Sequence, residues 1–133
     1  MTYYEAVQTM KSRKVMYFTP REEEFADLLV RIGMKKNVAK VLVYLAHTAE
    51  ATSRDIERGT DLRQPEVSIA MANMMEQRWV ENRETKAENK GRPVKIYKLS
   101  QPIGEIMDGI EREKRAEATN QLNLIQQLRD YIS

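Results

Sequence analysis

Hydrophobic side chains recur along this chain first at helical and then at strand spacing. Tyr3, Val7 and Met10 predict a short helix over residues 3–16, with Arg13 and Lys14 near its end. Thr19-Pro20-Arg21-Glu22 follows, giving a hydroxyl cap, a first-turn proline and a glutamate three residues after the cap, the capping-box pattern. A second helix is expected from Pro20, burying Phe25, Leu28, Leu29 and Ile32 and stopping at Gly33. A third, capped by Asn37, carries Val38, Val41, Leu42 and Leu45 on one stripe. Thr52-Ser53-Arg54-Asp55 repeats the cap pattern before a helix of barely two turns that Gly59 is expected to end.

Gln64-Pro65 opens a further helix with Val67, Ala70, Met71 and Met74 on its core face. Its opposite face, Pro65, Ile69, Ala72, Asn73 and Glu76 with Gln64 and Ser68 toward the edges, is small and mostly neutral. Residues 79–85 and 93–99 then read as two strands around a turn over 87–92. Beyond Pro102, Ile103, Met107, Ile110, Lys114, Glu117, Gln121, Leu124, Leu128 and Tyr131 recur in steps of four and three. One helix of about 45 Å is expected, apolar at both ends of its seam and polar in the middle. A helix that long cannot bury itself on a small domain.

Composition narrows the chemistry. The 133 residues, 41% of them hydrophobic, allow one globular domain with an appended element. With no cysteine and one histidine, His47, neither a disulfide nor a metal centre is expected. No apolar run approaches the roughly 18 residues of a membrane span, and the N-terminus lacks the apolar block of a signal peptide, so a cytoplasmic protein is expected. An enzyme is not: there is no His-Cys-Asp constellation and no Gly-rich phosphate loop, and Glu22-Glu23-Glu24 is most simply a dipole-matched first turn. No cofactor is expected either. Met71, Met74 and Met75 read as deformable core rather than a ligand box.

Charge matters through its distribution. Lys and Arg number 22 against 20 acids, a balance of +2 that names no partner. Residues 83–98, however, carry six bases against Glu84 and Glu88. A basic hairpin therefore follows the neutral helix face.

Helix, helix, short helix, tight turn, helix and hairpin is the order of a helix-turn-helix followed by a wing. Such a helix fits a major groove about 12 Å wide, and a basic hairpin tip reaches the neighbouring phosphates or minor groove. Leu62-Arg63-Gln64-Pro65-Glu66-Val67-Ser68, with Met71, Met74 and Trp79-Val80, resembles winged-helix transcriptional regulators of the ArsR, MarR and archaeal TrmB-like type. Gly91-Arg92-Pro93-Val94-Lys95-Ile96-Tyr97-Lys98-Leu99 is similar to the Gly-Arg-Pro-x-Lys-x-Tyr-x-Leu wing strand of many of them. The resemblance covers residues 22–100, and the long terminal helix resembles their dimerisation helix. Three features depart from it. Arg78 stands where the family often has Gly at the end of the recognition helix, metal-sensing Cys or His ligands are lacking, and so is the large domain of sugar-binding TrmB-like members.

The resemblance implies a mainly α winged helix-turn-helix, with a three-helix core, a β-hairpin wing and a long C-terminal dimerisation helix. Residues 1–18 are expected to form an N-terminal helical extension, 19–100 the DNA-binding domain and 101–133 the dimerisation helix. Arg63, Gln64, Pro65, Glu66, Ser68, Ile69 and Asn73 are the candidate recognition-helix contacts, with Gln64 and Ser68 suited to base edges and Ile69 to a thymine methyl. Glu66 either accepts from a cytosine amino group or repels phosphate. Arg54, Lys86, Lys90, Arg92 and Lys95 are the candidate phosphate contacts. Ile103, Ile106, Met107, Ile110, Leu124, Ile125, Leu128 and Tyr131 are the candidate dimer interface. The expected partners are double-stranded DNA and a second copy of the chain, not a membrane; operator, effector and sign of regulation are not legible. The alternative is a winged-helix interaction module in a larger assembly that reads no bases.

Overall fold

The computed structural model describes residues 18–86 and 93–133. The helix expected over 3–16 and the wing turn over 87–92 lie outside them. The chain divides into two compact units, Met1–Ser100 and Gln101–Ser133.

In the first unit, α1 (Pro20–Arg31) begins as its sequence requires. Thr19 N donates to Glu22 Oε1 at 2.7 Å and Glu22 N to Thr19 Oγ1 at 3.1 Å, the reciprocal bonds of a capping box. Gly33, at φ 110°, closes the helix: Gly33 N reaches Val30 O at 2.9 Å and Met34 N reaches Leu29 O at 3.1 Å. The buried line of α1 differs from the expected one. Ala26 and Leu29 face inward, Phe25 is half-buried, and Leu28 and Ile32 are 49% and 43% exposed. Periodicity marks the apolar arc of a helix, but the neighbouring α2 (Lys36–Ala46) selects which part of that arc is covered.

Helix α2 is the centre of the core, with Val38, Ala39 and every residue from Val41 to Leu45 buried. Its cap is Lys35, whose carbonyl accepts from Ala39 N at 2.9 Å, and no side chain caps it. Asn37 therefore lies inside the first turn and is not the cap.

A two-residue strand, β1 (Ala51–Thr52), absent from the expectation, leads into α3 (Ser53–Thr60). Thr52 N donates to Asp55 Oδ2 at 3.0 Å and Asp55 N to Thr52 Oγ1 at 3.1 Å, so the second capping box also forms. Gly59 does not end this helix. It lies within it, where a Cβ would overlap the Tyr44 ring, and its role is to let α3 close on α2. The helix ends at Thr60, and Asp61 turns the chain in the left-handed conformation at φ 58°.

Helix α4 (Gln64–Glu76) buries Val67, Ala70, Met71 and Met74. Two strands follow, β2 (Val80–Lys86) and β3 (Pro93–Leu99), antiparallel in a register from Val80 opposite Leu99 to Lys86 opposite Pro93. β1 adds to the outer edge of β3, with Ala51 opposite Tyr97, and gives a three-stranded sheet of order β1-β3-β2.

The second unit holds α5 (Ile103–Ile132), 30 residues in one helix. Ile106 and Ile110 are buried, whereas every residue from Glu111 onward is exposed. The polar middle of its seam contains a 3.6 Å ion pair between Lys114 Nζ and Glu117 Oε1.

Candidate nucleic-acid interface

The chain enters α4 through an extended Arg63, and Pro65 in the first turn has no N–H to leave unpaired. Arg63 N donates to Glu66 Oε1 at 2.8 Å, so the Glu66 carboxylate is engaged in holding the helix start. Beside it, Gln64 Nε2 donates to Ser68 Oγ at 2.8 Å, which joins the two candidate base readers on an exposed edge. Ile69 is 70% exposed at the middle of the outward face, and Pro65 and Ala72 flank it. Asn73, half-buried, closes the row, its Oδ1 accepting from Gln77 Nε2 at 2.6 Å. A face of amide, hydroxyl and methyl groups, with the Glu66 carboxylate committed to the helix start and Glu76 exposed at the far end, has hydrogen-bonding and apolar chemistry that suits base edges.

The end of α4 accommodates Arg78 where a glycine is common. Arg78 takes the left-handed conformation at φ 64°, and Arg78 N→Met75 O and Trp79 N→Met74 O, both 3.0 Å, close the helix as at Gly33. The corner needed after the helix is thus built at the cost of an unfavourable backbone for a side-chain-bearing residue.

On the wing, two of the six bases between residues 83 and 98 are already paired. Arg83 Nη2 contacts Glu50 Oε1 at 3.0 Å and Oε2 at 3.2 Å, and Lys98 Nζ lies 3.6 Å from Glu81 Oε2 across the strands. Lys95, on β3, is exposed and makes no ion pair among the described residues. Lys90, Arg92 and the Lys86 side chain lie outside them. Arg54 is exposed on the first turn of α3. The Arg83–Glu50 pair was not legible in the sequence, since 33 residues separate its members.

Among the described residues no three His, Cys, Asp or Glu side chains come together to hold a metal ion, and no helix is long and apolar enough to cross a membrane. No protein-family model and no curated protein sequence matches the chain. Among solved structures, a possible transcriptional regulator from Methanosarcina mazei superposes with a TM-score of 0.57 at 14% identity, over 72% of this chain and 82% of that one. A MarR family regulator from Neisseria meningitidis gives 0.47 at 19% identity, over 75% and 68% of the two chains. A MarR mutant from E. coli complexed with operator DNA gives 0.45 at 17% identity, over 61% and 56%. With α1 packed on a core of α2, α3 and α4, a short β1, a hairpin after α4 and a long terminal helix, the chain has the winged helix-turn-helix fold.

Proposed function

We propose that this chain is a homodimeric, sequence-specific DNA-binding transcriptional regulator, with α4 in the major groove and the wing on the phosphate backbone. One observation carries the reading: an exposed, nearly uncharged α4 face bearing Gln64, Ser68 and Ile69 stands beside a wing whose bases are not all paired. Gln64 and Ser68 exchange their mutual hydrogen bond for base edges, and Ile69 packs on a thymine methyl. Pro65 and Asn73 border that contact, while Arg63 and Glu66 fix the helix start. Arg54, on the first turn of α3, and Lys86, Lys90, Arg92 and Lys95 of the wing segment take phosphates and set register. The Methanosarcina mazei neighbour, described as a possible transcriptional regulator, is in keeping with this.

Dimerisation follows from α5. Leu124, Ile125 and Leu128 are 50%, 46% and 64% exposed and Tyr131 is 89% exposed, an apolar stripe on one side of the helix. A second copy of the same stripe covers it; Ile106 and Ile110, expected in that interface, are instead already buried within the single chain, and Ile103 and Met107 are half-buried, because the start of α5 is covered before any second copy arrives.

Fluorescence anisotropy of the full-length protein on labelled duplexes, at rising salt, tests the proposal. Binding whose logarithm falls linearly with the logarithm of salt is expected. No salt-sensitive binding near about 50 mM salt would make a protein-interaction module the better reading.

A further inference from the structure

A cleft of about 510 Å³ opens in the first unit between α1, the start of α2 and the end of α3. Its size is that of small-molecule sites, roughly 300–1,000 Å³. Three carboxylates, Glu23, Asp27 and Asp61, and two ammonium groups, Lys36 and Lys40, stand around it. Among the described residues none of the five takes part in an ion pair. Charges of both signs that border one cleft without meeting each other leave room for a ligand that carries both. Ala26, Val30 and Phe18 add apolar surface to the wall, enough to lie along a short methylene chain.

The place of the cleft gives it a consequence. Asp61 is the left-handed residue between α3 and α4, two positions before the Arg63 that starts α4. A ligand held by Asp61 therefore touches the turn on which the angle between those helices depends.

We propose that this cleft binds a free α-amino acid with a cationic side chain, and that its occupancy changes DNA affinity through the Asp61 turn. The ligand's carboxylate lies between Lys36 and Lys40, and its two cationic groups take the three acids. Three negative against two positive groups leave the cleft one charge negative, which matches the single positive charge of such an amino acid and disfavours a DNA phosphate. The coupling rests on the DNA-binding reading; the binding does not. Coupling requires only that the ligand favour one of two arrangements of the turn.

Calorimetric titration of the full-length protein without DNA tests the site. L-lysine or L-arginine should bind saturably with Kd below about 1 mM. Putrescine, which lacks the carboxylate, and L-glutamate, of the wrong net charge, should bind at least tenfold more weakly. The double variant Asp27→Asn, Asp61→Asn should lose tenfold or more in affinity with an unchanged circular dichroism spectrum, asparagine being tolerated in the left-handed turn. Lys40→Met, which leaves that turn untouched, should lose a similar factor. No saturable heat from either amino acid up to about 10 mM, or unchanged affinity in the folded variants, overturns the proposal. Putrescine binding as tightly overturns the role given to Lys36 and Lys40. A saturating amino acid should then shift the affinity for a preferred duplex by at least about fivefold. Intact ligand binding with unshifted DNA affinity overturns the coupling, whereas failure of DNA binding alone strikes the reading of α4 and leaves the titration result standing.

Discussion

Ser100 Oγ donates to the carbonyl of Arg78 at 2.6 Å, and the next carbonyl, that of Trp79, accepts from Ser100 N at 2.8 Å. The corner that follows α4 is thereby tied to the residue that follows β3. Asn82 Nδ2 on β2 also reaches Met75 Sδ on α4 at 3.8 Å, so hydrogen bonds as well as packing join helix and wing.

That corner yields the first prediction. A non-glycine residue in the left-handed conformation costs about 1–2 kcal/mol relative to glycine, so Arg78→Gly should stabilise the protein by about 1 kcal/mol and raise Tm by about 3–5 °C. Ser100→Ala should lower stability by about 1 kcal/mol, since it removes the bond to Arg78 O. Thermal unfolding of both variants checks this; destabilisation by Arg78→Gly would mean that the arginine side chain has a role the backbone geometry does not reveal.

Tyr44 predicts an alkaline limit. Burial first, and the Asp55 carboxylate second, hold its phenol above the ordinary value of 10.0, with a hydrogen bond from Thr48 opposing them. The folded chain thus keeps this proton to higher pH than the unfolded chain does. The group's contribution is whole below pH of about 10 and is lost as pH rises through the folded value. Tyr44→Phe removes that titration. In urea unfolding at pH about 8 and about 11, the natural chain should lose more stability across the interval than the variant; parallel losses would contradict the assignment.

The elements that were legible in the sequence are those fixed within four residues. The boxes at Thr19–Glu22 and Thr52–Asp55, the stop at Gly33 and the buried face of α4 depend on side chains adjacent along one helix. What depends on distant partners was not. Gly59 resembles a stop signal because the Tyr44 ring it accommodates belongs to another helix. β1 has only two residues, and its pairing with Ile96 and Tyr97 closes a loop of more than forty. Leu28 and Ile32 fit a core stripe, yet α2 covers Ala26 and Leu29 instead. In the site, the composition of the α4 face could be read from helical periodicity. The engagement of Glu66 at the helix start and of Arg83 by Glu50 required the fold.

Salt dependence should separate the wing from α4. Arg92→Ala should weaken all duplexes alike and make the logarithmic salt slope shallower by about 0.9 per lost contact, twice that in a two-fold dimer. Glu50→Gln releases Arg83 from its partner and should strengthen binding to random DNA. Unchanged random-DNA affinity in both variants would move the phosphate contacts off the wing.

The exposed stripe on α5 predicts the oligomeric state. Leu124→Asp with Leu128→Asp places charges where a second copy packs, at positions exposed within the single chain. Light scattering at tens of micromolar should give a dimer for the natural chain and a monomer for the variant, with the far-ultraviolet spectrum little changed. A well-behaved monomer of the natural chain would rule out dimerisation through this helix.

Selection of genomic fragments by the purified full-length protein tests the base-reading role of α4 most directly. One inverted repeat should be enriched, with half-sites about 10 base pairs apart or a multiple of that. Gln64→Ala or Ser68→Ala should cost about 1–3 kcal/mol on that repeat and little on random DNA. Recovery of fragments with no common sequence, or the same preference in both helix variants, would contradict it.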